Sequence, residues 1–453
     1  MLKTFKFGGV HPKEEKLTAG LAIQRLPLPK KVILPVAQHI GVPAMLAVKK
    51  GDLVKTGMLI AKSGGFVSAN IHAPVSGRVS KIAERIDASG YKSLSIVIET
   101  EGDIWEESIT LDQPFQAIEA LTTAELLLKI RTAGVVGLGG AAFPTHVKLE
   151  PPAGMKADTL LINGVECEPY LTSDHSLMLE KGSEILKGTS LLMKVLKVQR
   201  AIVGIEINKP DAILLLRDLA KNFQGIEVEP LQLKYPQGSE KQLIQALTGR
   251  MVGPGALPAS VGVVVNNVAT AFAVYEAVAF NKPLIERVVT VTGKGVSKPG
   301  NFLVRIGTPI KELIEAAGGL PEDTGKVILG GPMMGKAISN LKIPVTKGMS
   351  GIVLIQEKEA SRQQVMPCIR CAKCVDGCPM NLEPYLLMMI SEKGMWEQAE
   401  SNHVTDCIEC GSCSYTCPSS RPLLDYIRTG KSKVGKLIRS RQNSVLTDKQ
   451  IPI

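Results

Sequence analysis

Two cysteine runs near the C-terminal end have the residue types and spacing to hold redox metal. The first is Cys368-Ile369-Arg370-Cys371-Ala372-Lys373-Cys374-Val375-Asp376-Gly377-Cys378-Pro379. The second is Cys407-Ile408-Glu409-Cys410-Gly411-Ser412-Cys413-Ser414-Tyr415-Thr416-Cys417-Pro418. Both read C-x2-C-x2-C-x3-C-P, a spacing used to ligate pairs of [4Fe–4S] clusters. Three thiolates two residues apart wrap one corner of a cubane. The fourth, followed by a proline that turns the chain away, reaches the other cluster. The spacing predicts Cys368, Cys371, Cys374 and Cys417 on one cluster. It predicts Cys407, Cys410, Cys413 and Cys378 on the second. Zinc would need two pairs of ligands and would leave the third Cys of each run idle. The implied chemistry is single-electron transfer.

The elements that must position these thiols belong to a long chain. Its 453 residues suggest about three domains or more, at roughly 100–200 residues each. Apolar residues make up 45%, enough for real cores. Of nine cysteines, eight lie in the two runs. Cys167 alone remains, so no disulfide framework exists and a reducing compartment fits. Flanked by two acids, Cys167 reads as an inert buried thiol. No apolar leader segment follows Lys3 and Lys6. The apolar stretches 32–48 and 261–280 are interrupted, by Pro35, His39, Gly41 and Pro43 and by Asn266 and Asn267, so no transmembrane span is expected. The formal charge is +10. Arg428, Lys431, Lys433, Lys436, Arg439 and Arg441 make 426–453 read as a basic, solvated tail, with docking on anionic lipid or an acidic partner as the alternative. No aromatic residues interleave these charges, so nucleic acid is not expected as a partner.

The expected fold class is multidomain, α/β plus β. Residues 1–30 read as an extended arm. Residues 31–105 read as a small β-barrel, with turn signals at Gly51, Gly57, Pro74 and Gly77 among alternating apolar residues. Residues 118–285 alternate strand-like runs, 159–163 and 200–205, with helical ones, which predicts an α/β sheet with ligands at its strand ends. Residues 286–345 form a smaller β-rich unit whose helix ends at Gly318-Gly319. Residues 346–365 read as a connector, 366–425 as the cluster domain, and 382–400 as mostly helical. The cysteine runs repeat at an interval of 39 residues, which predicts a pseudo-two-fold cluster domain.

A second chemistry lies in the α/β region. Gly134-Val135-Val136-Gly137-Leu138-Gly139-Gly140-Ala141-Ala142-Phe143-Pro144-Thr145 is a dense glycine loop, which permits close backbone approach to a flat or phosphorylated ligand. It is neither a dinucleotide fingerprint nor a Walker A loop. Asn163-Gly164-Val165-Glu166-Cys167-Glu168-Pro169 ends a strand with two acids. Tyr235-Pro236-Gln237-Gly238-Ser239-Glu240 opens a helix. Asn266 and Asn267 stand in an apolar run, where their amides need partners.

In order, these four segments resemble the flavin-binding segments of the NADH-oxidising flavoprotein of respiratory complex I. That resemblance implies that Gly137, Gly139 and Lys148 cradle FMN. It implies that Asn163, Glu166, Asn266, Asn267 and Thr270 bind its ribityl chain or ring, and that Phe143, Lys148, Glu168 and Glu240 face NADH. Ser239 takes the place of a family Glu, Leu138 of an Arg, Ala142 and His146 of Gly, and Val165 of an Asp. From Phe7-Gly8-Gly9-Val10-His11-Pro12 through Gly330-Gly331-Pro332-Met333-Met334-Gly335 and both cysteine runs, nearly the whole chain resembles the RnfC family of Rnf (Rsx) electron-transport complexes. This implies a lipoyl/biotinyl-like barrel without a carrier lysine at its tip, a complex-I-flavoprotein-like α/β domain, a soluble-ligand-binding β-grasp domain and a bacterial-ferredoxin-like two-cluster domain. It also implies FMN, two [4Fe–4S] clusters, NAD(H) as substrate, the other membrane subunits of the Rnf complex as partners, ferredoxin reached through the complex, and a peripheral place on the cytoplasmic face of the cell membrane. A cobalamin-reductase-like protein carries its small barrel at the other end. A flavin-free iron–sulfur module is the remaining alternative.

Overall fold

The computed structural model describes residues 2–88, 90–110, 118, 120–361 and 363–448, with backbone alone for 442–448. The chain gathers into two units. One comprises Met1–Lys3, Lys13–Gln232 and Pro258–Ala360; the other comprises Thr4–Pro12, Leu233–Leu257 and Ser361–Ile453. Residues 4–12 and 233–257, read from sequence as parts of the arm and of the α/β domain, thus belong with the cysteine runs.

In the first unit, residues 31–102 fold into two small antiparallel sheets. Four strands run in the order Lys31–Pro35, Lys92–Gly102, Ser76–Ile86, Leu53–Val54, and three in the order Met45–Leu46, Leu59–Lys62, Ile71–His72. Val32, Leu34, Ile60, Val79, Ile96 and Ile98 are buried between them. Lys62 is exposed at a strand end.

The α/β region is a four-stranded parallel sheet, ordered Ile226–Leu231, Arg200–Glu206, Thr159–Asn163, Val263–Asn267. Its inner strands are continuous buried apolar runs, as expected of strands covered on both faces. Helices return the chain between strands, so all carboxyl ends share one edge. Asn163 is level with Gly204 and with Asn267 there.

The fourth sheet is mixed and six-stranded, in the order Ile23–Arg25, Gly300–Arg305, Glu286–Thr292, Gly351–Gln356, Thr324–Leu329, Lys336–Ile338. Two readings need correction here. The arm supplies an edge strand, Ile23–Arg25, paired in parallel with Gly300–Arg305. The expected connector contains Gly351–Gln356, which lies inside the sheet between two partners. Its Ile352, Val353 and Leu354 are buried, and a short apolar run of this kind is the signature of a fully covered strand.

The second unit is helical. The two cysteine runs adopt the same backbone: left-handed residues at Arg370, Ala372 and Asn381 recur 39 positions on at Glu409, Gly411 and Ser420. Short helices follow, Lys373–Asp376 and Ser412–Thr416. The basic segment is not a solvated tail. Leu423–Asp448 is one helix, with Leu423, Ile427 and Val434 buried in a core shared with Leu387, Ile390 and Ala399. Its apolar positions recur at helical spacing beneath the charges. Arg428 and Lys431 pair with Glu409, each at 3.1 Å. Residues 449–453 lie outside the described residues.

Candidate functional site: a glycine loop and two cysteine pockets

The glycine loop doubles back on itself. The N–H of Gly137 donates to the Phe143 carbonyl at 2.8 Å and that of Ala142 to the Gly137 carbonyl at 3.1 Å. This exposes Gly139, Gly140 and Ala141 at the tip. Gly140 and Ala142 have positive φ, 115° and 51°, so the turn depends on small residues. Two groups fix the loop to the sheet. The N–H of Leu138 donates to the Thr270 hydroxyl at 2.9 Å. The Arg287 guanidinium donates to the carbonyls of Leu138 and Lys347. Arg287 is buried, and burial lowers its pKa to about 10. The Lys148 ammonium reaches the Val265 carbonyl at 2.9 Å, beside the strand that ends at Asn266 and Asn267.

The two amides have different tasks. Asn267 caps its own helix by accepting from the N–H of Ala269 at 2.8 Å, and it donates to the Asn163 carbonyl at 3.3 Å and to Asp174 at 2.6 Å. Asn266 is 4% exposed, and its Nδ2 has no hydrogen-bond partner. A buried donor in this state costs about 1–3 kcal/mol, so a ligand acceptor at this strand end fits. That orphan amide and the exposed glycine tip make the donor set compatible with FMN.

The acids are engaged by the protein. Glu166, at φ 48°, accepts from the N–H of Asp174 at 2.8 Å and of His175 at 3.1 Å, capping helix Ser173–Glu180. Glu168 accepts from the N–H groups of Met333 and Met334 at 3.0 and 2.8 Å, binding the Gly330–Gly335 loop. Lys16 donates to the carbonyls of Glu166, Glu168 and Leu171 at 2.7–2.9 Å. Burial, then the neighbouring Lys209, lowers its pKa to about 8. Burial, then the Glu166 carboxylate, raises that of Asp174 to about 7. Lys16 and Arg287 have no signature in the sequence because each works from a distant segment. The Asp174 position, in the first turn of a helix, is the one available signal. Cys167, expected to be buried, is half-buried. Ser239 and Glu240 lie in the second unit, where they open helix Glu240–Thr248.

In the second unit, Cys378 of the first run shares an apolar cavity with Cys407, Cys410 and Cys413 of the second, walled by Leu382, Leu387, Leu424 and Ile427. Cys374 has Cys417 and Cys368 as electrostatic neighbours, and Cys371 lies on the same exposed loop. The structure thus brings Cys378 together with the second run and Cys417 close to Cys374. Among the described residues no three His, Cys, Asp or Glu side chains converge as they would on a single ion; a cubane interposes its own irons and sulfides. Amides point at the sulfurs: the N–H of Leu382 lies 3.4 Å from Cys378 Sγ, and that of Glu409 3.4 Å from Cys407 Sγ. Burial pushes the thiols of Cys407 and Cys413 up to about 11 and about 12. A cluster held here would take these sulfurs as thiolates, so its binding would release protons.

Comparison with known proteins places these sites in a family. Family models match for the RnfC barrel sandwich hybrid domain over residues 3–103, the Nuo51 FMN-binding domain over 130–276, the SLBB domain over 288–337 and the 4Fe-4S dicluster domain over 360–433. Together they define a multidomain electron-transfer protein with a flavin-type domain and a dicluster domain. The chain is 48% identical over 438 residues to the C component of the proton-translocating ferredoxin:NAD(+) oxidoreductase complex of Clostridium ljungdahlii, covering 96% of this chain and 94% of that one. It is 45% identical to the Na(+)-translocating counterpart of Acetobacterium woodii, covering 95% and 97%. It is 44% identical to the C component of the ion-translocating oxidoreductase complex of Rhodobacter capsulatus, covering 95% and 83%. The chain belongs to this RnfC family.

Proposed function

We propose that this chain is the peripheral, NAD(H)-docking subunit of an ion-translocating ferredoxin:NAD(+) oxidoreductase at a membrane, passing electrons between NAD(H), FMN and two [4Fe–4S] clusters. The observation that carries the reading is the cavity that unites Cys378 with Cys407, Cys410 and Cys413, in a chain that also has a flavin-type strand end. Bound FMN would accept a hydride and release single electrons, and bound clusters would carry them. The protein supplies position. Gly139 and Gly140 are exposed at the loop tip, with open space at Gly140 and Gly137 at the base of the turn, and Asn266 offers an unused donor. Lys148 lies where a phosphate or nucleotide charge would be met. Asn163, Glu166, Asn267 and Thr270 hold the strand end and glycine loop in place, and Phe143 and Glu168 remain the candidates for NADH contact in this unit. Among the described residues no helix is long and apolar enough to cross a membrane. Attachment through partner proteins on the cytoplasmic face, where NAD(H) and reduced thiols coexist, fits that and the cysteine usage.

Anaerobic reconstitution tests this. The chain should take up iron, acid-labile sulfide and FMN. Asn266→Leu and Lys148→Ala should each weaken FMN binding about tenfold or more, the equivalent of one lost buried hydrogen bond or charge contact, while iron content stays unchanged. A reconstituted chain that binds no FMN and still accepts electrons from NADH would overturn the flavin assignment.

A further inference from the structure

The glycine pair at the start of the chain and Tyr235 itself have no task in the flavin reading or in cluster ligation, yet both meet peptides of the buried cysteine pocket. Gly8 has φ 63°, and a β-carbon there would collide with the carbonyl of Cys378 and the nitrogen of Pro379. Only glycine permits this approach of backbone to backbone. The N–H of Gly9 donates to the Gly377 carbonyl at 3.1 Å, and Val10 exchanges backbone hydrogen bonds with Tyr235 at 2.8 and 2.9 Å. Tyr235 is 2% exposed, and its hydroxyl donates to the Cys410 carbonyl at 2.8 Å. Gln242, also buried, donates to the Pro379 carbonyl at 3.1 Å. Residues 4–12 and 233–248 therefore grip two peptides, Gly377–Pro379 from the first run and Cys410 from the second.

We propose that this two-piece strap positions the crossed ligands of the buried cluster and tunes that cluster alone. The inference rests on the cluster reading above. Cys378 and Cys410 come from different runs, so their separation is not set by the local spacing of either. A cubane demands a fixed separation, and the strap supplies it by holding both peptides at once. The Tyr235 hydroxyl sets a positive dipole end against the Cys410 peptide, which favours the more negative, reduced state of the cluster; outer hydrogen bonds of this kind tune a metal centre without touching it.

The test uses the full chain, reconstituted anaerobically with iron and sulfide. Wild-type protein lacking iron would refute the cluster reading and the strap with it, whereas failure of the strap alone appears only in the variants. Gly8→Val should lose about half of the iron and sulfide, with the signal of the cluster held by Cys368, Cys371, Cys374 and Cys417 retained. Tyr235→Phe should keep its full iron content and shift the midpoint potential of the second-run cluster downward in an EPR-monitored titration, leaving the other cluster unmoved. Full iron content in Gly8→Val, or equal shifts of both clusters in Tyr235→Phe, would overturn the proposal.

Discussion

Around Cys368 and Cys371 the chain is exposed without a break from Gln363 to Lys373, and Ile369 is 67% exposed. Around Cys378, Cys410 and Cys413 the corresponding exposure is 9%, 7% and 7%, with Leu424 and Ile427 of helix Leu423–Asp448 in the pocket wall and Gly9, Tyr235 and Gln242 hydrogen-bonded to peptides of the two runs. Yet the two runs share their cysteine spacing and their left-handed turns. A local motif therefore decides which atoms hold the metal. Packing from elsewhere in the chain decides how much water reaches it. Solvent exposure and hydrogen bonds to the sulfurs both set cluster potential, so the two environments should tune a bound cluster differently.

The strongest way to break this comparison is to remove one ligand from each site. Cys378→Ala should abolish the cluster held by Cys407, Cys410 and Cys413, and Cys368→Ala the other, each seen as loss of one EPR signal and about half of the iron. If Cys378→Ala instead damages only the cluster of its own run, the crossed assignment fails and so does the contrast in burial. A smaller effect should separate the sites in the wild-type chain. A chelator or dilute oxidant should strip the exposed cluster several-fold faster than the buried one, followed as sequential loss of the two signals. Simultaneous loss would mean that the C-terminal helix and the other pocket walls do not shield the buried site.

The cysteine sites are legible in sequence because their chemistry is local: thiolates in a fixed pattern, with a proline to end it. The strand Thr159–Asn163 is legible for a similar reason, as an apolar run closed by a polar residue. What escapes is set by long-range contact. Arg287 reaches the carbonyl of Leu138 and Lys16 the carbonyls around Glu166, neither with a local signature; Asp174, which accepts from the Asn267 amide, is marked only by its place in a helix's first turn. The strand Gly351–Gln356 reads as linker because a short buried run lacks alternation. The helix Leu423–Asp448 reads as a solvated tail because its charges hide the stripe of Leu423, Ile427 and Val434. Resemblance assigns Glu166 to a ligand, while its carboxylate here caps a helix.

The smallest predicted effect sharpens the comparison at a single atom. Ser412 is fully buried, and its hydroxyl lies 3.4 Å from Cys410 Sγ. When Cys410 is a thiolate ligand, the hydroxyl donates to the sulfur, and the bond strengthens as the cluster gains negative charge. The counterpart in the first run is Lys373, whose side chain is exposed; its position relative to Cys371 matches that of Ser412 relative to Cys410. A hydrogen bond of this kind is worth about 0.5–1.5 kcal/mol. For a one-electron couple, about 1.4 kcal/mol corresponds to about 59 mV. Ser412→Ala should therefore lower the midpoint potential of the buried cluster by about 20–60 mV, with iron content retained and the exposed cluster unchanged. An unmoved potential would show that burial alone distinguishes the two sites, and an upward shift would mean that the hydroxyl does not donate to the sulfur.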